Sequence, residues 1–441
     1  MLNDCLLFRR RLRSDGFGRR FDTGVDQTVD NGKQHVVGER AFENLPCTYT
    51  LEMTAFRTRQ GFGNGQARDE LGAVTHLNKK ALTGAELMPH ATRAVNMSQL
   101  GHALNELSDP PVKALFVYSS NPAAVAPNHN AVVRGLLRPD LFTVVHEQFF
   151  TDTTDYADII LPATTFFEHK DLQTGYGHYY VQISNRAIEP LGECRSNVEL
   201  FRALAVRMGF ADACFRESVD QMIDLALSSP HPHLAGIDRA RLEREHFVRL
   251  NLPQHNESVT ESRNSLAHCG GGGSAFYLPF ADGFPTRNGK ALLYNADLAA
   301  QGLDPVVSFT PPRESRHSGN ASYPLELLAR KCDNYLNSTF ANLPAQQKME
   351  DPDLLEISVA DAEGRGIADG DRVRVFNARG EVFLSAWVNG KTRAGVVAAR
   401  LNWAKLTGQA RNINVLTSER LTDMGGGATF YSVLVDVERA P

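Results

Sequence analysis

Apolar residues follow a strand-and-helix rhythm between about residue 93 and residue 230. Short apolar runs that end in polar turns predict buried strands, and apolar positions repeated at helical intervals predict helices. In chain order the predicted elements are a helix over Ala94–Leu104, a strand over Val112–Tyr118, a helix over Asn130–Leu137, strands over Leu141–His146 and Ala157–Pro162, and a helix over Asn197–Met208. Strands joined by crossovers of this length predict a parallel sheet with right-handed connections.

Beyond Leu325 the pattern changes to short strands, several of which alternate apolar and polar residues. Glycine-containing turns separate some of them, at Asp369–Asp371 and Asn377–Gly380. The predicted strands are Leu355–Val359, Asp371–Asn377, Gly380–Val388, Gly395–Ala399 and Tyr431–Val437. Short strands with such turns are typical of a small closed barrel. We therefore predict an α/β protein in which a parallel-sheet, Rossmann-like domain precedes a β-barrel domain.

Two stretches carry no sustained strand or helix period. We expect residues 1–85 to form an atypical N-terminal segment that is in part poorly ordered. Its Gly61–Gly65 run superficially matches a dinucleotide loop, but a buried strand before it and a helix after it are lacking. Residues 231–320 are rich in Pro, Gly, His and Asn and contain Gly270–Ser274, which indicates a loop-rich insertion or linker. The predicted division is therefore 1–85, 86–230, 231–320 and 321–441.

Composition narrows the class of partner. A net charge of −5 over 441 residues, without a concentrated basic face, argues against binding to nucleic acid. No apolar run reaches the roughly 20 residues that span a bilayer, so we expect no membrane insertion. The arginines near the N-terminus are followed by the polar run Ser14–Gly18, which argues against export and predicts a cytoplasmic protein. A small-molecule partner fits these properties best.

Polar side chains follow the first two predicted strands at the points where they end. Ser119–Asn121 comes after the first strand, and His146–Gln148 and Thr151–Thr154 come after the second. In an open parallel sheet, ligands bind beyond the carboxyl ends of the strands. Hydroxyl and amide groups suit a phosphate or a sugar, and an acidic residue can accept hydrogen bonds from ribose hydroxyls. The same residue types also form ordinary turns and helix caps, so both interpretations stay open.

The order and spacing of these polar runs resemble the molybdopterin oxidoreductase family of dimethyl sulfoxide reductase type. The resemblance rests on Val117–Ala123, His146–Thr154 and Tyr156–Ala163. Further matches are Phe167–Glu168, Gly289–Lys290, Asn337–Asn342, Gly366–Asp371 and Asn414–Thr417. It covers roughly residues 75 to 441 and implies the third and fourth domains of that family, the last being a double-psi barrel.

The resemblance implies binding of molybdopterin guanine dinucleotide with molybdenum or tungsten. One group of residues would line a guanosine-diphosphate arm: Ser120, Asn121, Glu147, Thr153, Thr154 and Asp158. A second group would contact pterin or phosphate from the barrel side: Asn337, Ser338, Asn342, Asn402 and Asn414. Two alternatives remain open, because Asp158 could simply cap backbone N–H groups and the Asn-Ser-Thr run could be a capped turn.

Members of this family begin with cysteines for an iron–sulfur cluster and then supply a ligand to the metal, and nothing upstream of the match corresponds to either. The six cysteines contain no CxxC pair, so we expect neither an iron–sulfur cluster nor a metal ligand in this chain. The resemblance thus implies a truncated or split member, completed by a chain with the remaining domains or by an electron-transfer subunit. Catalytic residues stay unassigned. A non-catalytic scaffold subunit of a respiratory or redox complex and a generic nucleotide-binding α/β protein are the alternative hypotheses.

Overall fold

The computed structural model describes residues 77, 93–175, 178–252, 283–284, 286, 288–306, 308–318, 323–423 and 425–440. The segment predicted as atypical therefore lies outside the described residues, except for Leu77, and so do the glycine runs at 61–65 and 270–273. In the described part of the chain, no helix has both the length and the apolar character that a membrane crossing requires.

A three-stranded parallel sheet forms the first part of the fold, in the order β1-β2-β3. Its elements are α1 (Leu100–Glu106), β1 (Ala114–Tyr118), α2 (Pro122–Val125), α3 (His129–Leu136), β2 (Phe142–Glu147) and β3 (Ile159–Pro162). Leu104, Val132 and Val145 are among the buried residues between sheet and helices. Removing such side chains from water is the main stabilising term of the core. The predicted parallel sheet is confirmed.

A second, antiparallel sheet follows, in the order β4-β5-β6. Its strands and the helices in the same region are β4 (Asp171–Thr174), β5 (Tyr180–Ser184), α4 (Asn197–Arg207), α5 (Val219–Leu227), α6 (Arg239–Glu245) and β6 (Phe247–Arg249). Ser196 and Ser218 begin α4 and α5 with capping boxes, which satisfy the first N–H groups of each helix. The last helix and strand lie in the segment predicted as loop-rich. No helix was predicted there, because α6 buries only Leu242 and is otherwise mostly charged, so the apolar repeat of a helix is absent.

Six strands close into the predicted barrel, in the order β10-β8-β11-β7-β12-β9. After the short helix α7 (Ala296–Ala300), the barrel region comprises β7 (Leu325–Arg330), α8 (Pro344–Glu350), β8 (Leu354–Ile357), α9 (Val359–Glu363), β9 (Arg372–Asn377), β10 (Gly380–Val388), β11 (Val396–Arg400) and β12 (Leu434–Arg439). Fully buried Leu327, Leu355 and Val375 fill its interior. The strand β7 was not among the predicted ones, because the pattern Leu-Glu-Leu-Leu-Ala-Arg fits a helix equally well.

Buried polar contacts dock the barrel onto the parallel sheet. The carboxylate of Asp152 accepts hydrogen bonds from the backbone N–H groups of Ala404, at 2.7 Å, and Lys405, at 3.0 Å. The side-chain amides of Asn412 and Asn414 both donate to the carbonyl of Ala124, at 3.0 and 2.9 Å. We call Asp152, Asn412, Asn414 and the Ala124 carbonyl the domain clamp. Because buried donors and acceptors must be paired, the clamp fixes how the two domains meet.

Candidate functional site

A cleft of about 550 Å³ lies where the parallel sheet, the start of α4 and a barrel loop come together. Its volume falls in the range of sites for nucleotide-sized ligands. The sheet side contributes residues from the ends of β1 and β2: Ser119, Ser120, Asn121, His146, Glu147 and Gln148. The barrel side contributes Ser338, Thr339, Phe340, Asn342 and Trp403. The cleft therefore has one wall in each domain.

Asn121 leaves an unused hydrogen-bond donor in the sheet-side wall. Its Oδ1 accepts hydrogen bonds from the N–H of Thr153, at 3.1 Å, and from the Oγ1 of Thr153, at 2.7 Å. Its Nδ2 is buried and has no partner among the described residues. An unpaired buried donor costs about 1–3 kcal/mol, which an acceptor on a bound ligand would recover. Ser120, by contrast, is exposed at the same strand end.

Burial shifts the pKa values of His146 and Glu147, the last two residues of β2, in opposite directions. Burial raises the pKa of Glu147, whose Oε1 accepts from the N–H of Gln148 at 2.7 Å. Burial lowers the pKa of His146, so this ring is neutral, and its Nε2–H donates to the carbonyl of Arg195 at 3.1 Å. Nδ1 of His146 must then accept, and the Asn197 amide 3.1 Å away satisfies it when its NH₂ group faces the ring.

Two cationic side chains, Lys170 and Arg195, line the cleft, and only Lys170 forms ion pairs among the described residues. Nζ of Lys170 lies 2.6 Å from a carboxylate oxygen of both Asp220 and Glu243. These acidic groups outweigh burial and raise the pKa of Lys170, so its charge is neutralised locally. Arg195 is exposed, and its guanidinium makes no hydrogen bond or ion pair with any residue that the structure describes. Its position suits an anionic ligand group, because guanidinium pairs well with phosphate.

The barrel-side wall is a loop with two residues in the left-handed region. Asn337 has φ of 53° and Phe340 has φ of 66°. The indole Nε1–H of Trp403 donates to the carbonyl of Ser338 at 2.8 Å, and the Nε2–H of Gln347 donates to the carbonyl of Ala341 at 2.7 Å. The ring of Phe340 remains 55% exposed at the cleft. The loop thus presents polar groups and one aromatic ring to the cavity.

The structure brings together five of the eleven predicted cofactor-binding residues. Those that line the cleft are Ser120, Asn121, Glu147, Ser338 and Asn342. Those that do not line it are Thr153, Thr154, Asp158, Asn337, Asn402 and Asn414. Ligand contact by any of the eleven stays a prediction, but the two sets now have different local environments.

Most of the six residues outside the lining make structural hydrogen bonds. Asp158 accepts from the N–H of Thr143 at 2.8 Å, which is the capping alternative considered for it. Thr153 supports Asn121, and Thr154 Oγ1–H donates to the carbonyl of Thr151 at 2.6 Å. The amides of Asn402 and Gln347 pair with each other at 2.9 and 3.2 Å. Asn414 belongs to the domain clamp.

Arg195, Asn197 and Trp403 are lining residues that sequence reasoning did not propose. Arg195 and Asn197 flank Ser196, the N-cap of α4, and the sequence signature of that cap was available. Helix N-termini commonly face anionic groups, so the signature could have drawn attention to both residues. His169 also lines the cleft, with its Nδ1 2.9 Å from the Oγ1 of Thr164.

A parallel sheet with polar strand ends, facing a loop of an appended barrel across a cleft of this size, is typical of α/β proteins that bind nucleotides. Matches to two family models identify the family. The Molybdopterin oxidoreductase family matches residues 52–207, and the Molydopterin dinucleotide binding domain matches residues 325–434. The chain belongs to the molybdopterin oxidoreductase family. The first match begins at residue 52, so the family resemblance extends further into the segment 1–85 than the motifs indicated.

Individual relatives agree with this assignment. The probable oxidoreductase YoaE of Bacillus subtilis is 39% identical over 416 residues, which cover 93% of this chain and 56% of the relative. Dimethyl sulfoxide reductase DmsA of Escherichia coli is 30% identical over 363 residues, covering 75% of this chain and 42% of the relative. The chain spans about half the length of these relatives. Acetylene hydratase from Pelobacter acetylenicus matches in structure, with a TM-score of 0.62 at 21% identity over 79% of this chain and 47% of that one, which shows the shared fold.

Proposed function

We propose that this chain is the C-terminal, cofactor-binding part of a molybdopterin-dependent oxidoreductase. The cleft would hold the guanosine-diphosphate end of a molybdopterin guanine dinucleotide. The observation that carries the proposal is the position of the cleft: one wall lies in the segment matched by the Molybdopterin oxidoreductase family, and the opposite wall lies in the dinucleotide-binding domain.

The lining residues fit the chemistry of such a group. The guanidinium of Arg195 would pair with phosphate, and the unused Nδ2 of Asn121 would donate to a ligand oxygen or nitrogen. Glu147 would accept hydrogen bonds from ribose hydroxyls, and Ser120 and Ser338 would add hydroxyl contacts. The bound group would supply redox chemistry through molybdenum or tungsten. This chain's residues would grip and orient it and would keep water from its phosphates.

We also infer that the barrel is of the double-psi type. The six strands combine parallel pairs, β7 with β11 and β8 with β10, with antiparallel pairs between β9 and β10 and between β9 and β12. A mixed barrel of this kind cannot form from consecutive hairpins alone, because parallel neighbours need crossover connections. The two parallel pairs support the proposal.

Catalysis would need parts beyond those described. We propose that further polypeptide supplies the metal's protein ligand and that an electron-transfer partner completes the redox path. The motif order supports this, because the matched motifs correspond to the third and fourth domains of the family. A cytoplasmic location is part of the same proposal.

The test is to purify the chain from its native host, release bound material with acid, and measure guanine nucleotide together with molybdenum and tungsten. Nucleotide with metal is expected if a partner completes the site, and nucleotide without metal if the chain only grips the cofactor. A matched pair of variants locates the site. Arg195→Ser is expected to lower retained nucleotide several-fold, and Arg186→Ser, at an exposed arginine paired with Glu189 outside the cleft, is expected to leave it unchanged. A folded chain that releases neither would contradict the proposal and favour the scaffold alternative.

A further inference from the structure

The barrel-side loop has a backbone conformation that its own sequence does not favour. Phe340, with φ of 66°, is a bulky residue in a region that glycine adopts easily and other residues rarely do. Asn337 shares the left-handed region. Such residues persist where the surrounding structure imposes them, and they concentrate at ligand clamps and active sites. The contacts that hold this loop are therefore informative about its role.

Glu350, the last residue of α8, holds the start of the loop. Its side chain is 2% exposed, and its Oε1 accepts hydrogen bonds from both the backbone N–H and the side-chain Nδ2 of Asn334, the latter at 2.7 Å. Its Oε2 lies 3.3 Å from Nε of Arg400. Burial favours the neutral acid, but the hydrogen bonds from Asn334 lower the pKa of Glu350, so the group is a carboxylate. Charged acceptors make the stronger hydrogen bonds.

The rest of the loop is held by α8 and by the residues that follow β11. Gln347 of α8 bonds to the carbonyl of Ala341, and Trp403 bonds to that of Ser338. Tyr335 anchors the loop in the other direction, because its hydroxyl donates to the carbonyl of Leu401 at 2.7 Å. These contacts are made at or next to the loop residues that face the cleft. Glu350 itself does not line the cleft.

We propose that Glu350 is a positioning residue for the ligand. By fixing Asn334, it sets the entry of the loop so that Ser338, Phe340 and Asn342 stand in the cleft before the ligand arrives. A loop ordered in advance binds more tightly, because less conformational entropy is lost on binding. The inference rests on the proposed function, since it concerns the same cleft.

The two tryptophans of the chain allow a direct test. Trp403 lines the cleft and bonds to the loop, and Trp387 lies in β10. In a Trp387→Phe background, the fluorescence of Trp403 reports on titration with guanosine diphosphate. Amide hydrogen exchange over residues 334–342, measured without ligand, reports separately on the order of the loop.

Three substitutions separate positioning from charge. Glu350→Ala removes the acceptor for Asn334 and is expected to weaken guanosine diphosphate binding about tenfold and to speed exchange in the loop. Glu350→Gln keeps an acceptor oxygen and is expected to stay within about twofold of the parent. The matched control is Glu356→Gln: Glu356 shares Arg400, at 3.7 Å, but does not bond to the loop, so little change is expected.

Two results would overturn the inference: parental affinity and exchange in Glu350→Ala, or equal weakening in Glu356→Gln. Circular dichroism establishes that each variant is folded. Should Glu350→Ala fail to fold, Asn334→Ala replaces an exposed residue, removes one of the two donors, and is expected to weaken binding about threefold. Unchanged affinity and exchange in that variant would equally overturn it. Failure of the proposed function looks different: the parent itself would give no saturable fluorescence change, whatever the exchange data show.

Discussion

The two domains that border the cleft use the same residue types for different purposes. On the sheet side, Ser120 is exposed and Asn121 keeps a buried donor unpaired, so these strand ends retain unused hydrogen-bonding capacity. In the barrel domain, away from the cleft lining, Asn402 is paired with Gln347 and Asn414 with the Ala124 carbonyl. An asparagine near a cofactor site can therefore bind the ligand or hold two domains together. Which of these it does depends on whether its amide already has a protein partner.

The largest effect is expected where the domain clamp is broken. Asp152→Ala leaves the buried N–H groups of Ala404 and Lys405 without their acceptor and is expected to lower the free energy of unfolding by about 3 kcal/mol. Asp152→Asn keeps one acceptor oxygen. Its NH₂ group cannot accept from the other N–H, so one donor stays unpaired and the loss is expected to be smaller, about 2 kcal/mol. Urea unfolding measures both, and equal losses would contradict this account of the clamp.

A pair of asparagines in the barrel domain sharpens the comparison between ligand contact and domain contact. Asn414→Ala is expected to lower stability by about 2 kcal/mol, because it deletes the bond to the Ala124 carbonyl, and to leave affinity for guanosine diphosphate unchanged. Asn342→Ala, at a residue lining the cleft, is expected to lower affinity and leave stability nearly unchanged. Urea unfolding measures the stability of both variants, and fluorescence titration measures their affinity for guanosine diphosphate. The reverse pattern would return Asn414 to the ligand contacts.

A smaller effect concerns the strained loop. Phe340→Gly and Phe340→Ala both remove the ring, but only glycine adopts φ of 66° without strain. The glycine variant is therefore expected to be more stable than the alanine variant by about 1 kcal/mol in thermal unfolding, with both losing ligand affinity alike. Equal stability of the two would mean that the loop relaxes away from the left-handed conformation once the ring is gone.

The smallest effect is a dependence on pH. His129 is buried, burial lowers its pKa, and its Nδ1–H donates to the carbonyl of Ala123 at 2.8 Å. The unfolded chain takes up a proton near the ordinary pKa of 6.5 and the folded state resists it, so stability is expected to fall as the pH drops below that value. Melting temperatures measured between about pH 7.5 and about pH 5.5 would follow this. His129→Gln should flatten the dependence in part, since buried His146 contributes with the same sign.

Periodicity in the sequence was sufficient to predict the elements whose own apolar residues follow a strand or helix pattern. The strand predicted at Val112–Tyr118 is β1, Ala114–Tyr118, and the helix predicted at Asn197–Met208 is α4, Asn197–Arg207. The antiparallel sheet was not predicted, because β4 reads Asp-Leu-Gln-Thr and β6 has three residues. Strands that short and polar are set by their partners in the folded chain.

The candidate site also contains residues with a local sequence signal and residues whose role depends on partners distant in the sequence. Strand-end chemistry predicted Ser120, Asn121 and Glu147, which line the cleft, since the carboxyl edge of a parallel sheet follows from the strand order. It could not separate Asn414 from a ligand contact, because the partner carbonyl of Ala124 lies 290 residues away. It also could not identify Glu350 as a loop anchor, since nothing in the local sequence indicates that its side chain bonds back to Asn334.

Amide hydrogen exchange on the chain with and without bound molybdopterin guanine dinucleotide tests the central claim, that one ligand bridges both walls of the cleft. The account predicts ligand-dependent protection in three stretches, residues 119–121 and 146–148 on the sheet side and residues 338–342 on the barrel side. Protection confined to one wall, or found only at sites away from the cleft, would contradict it.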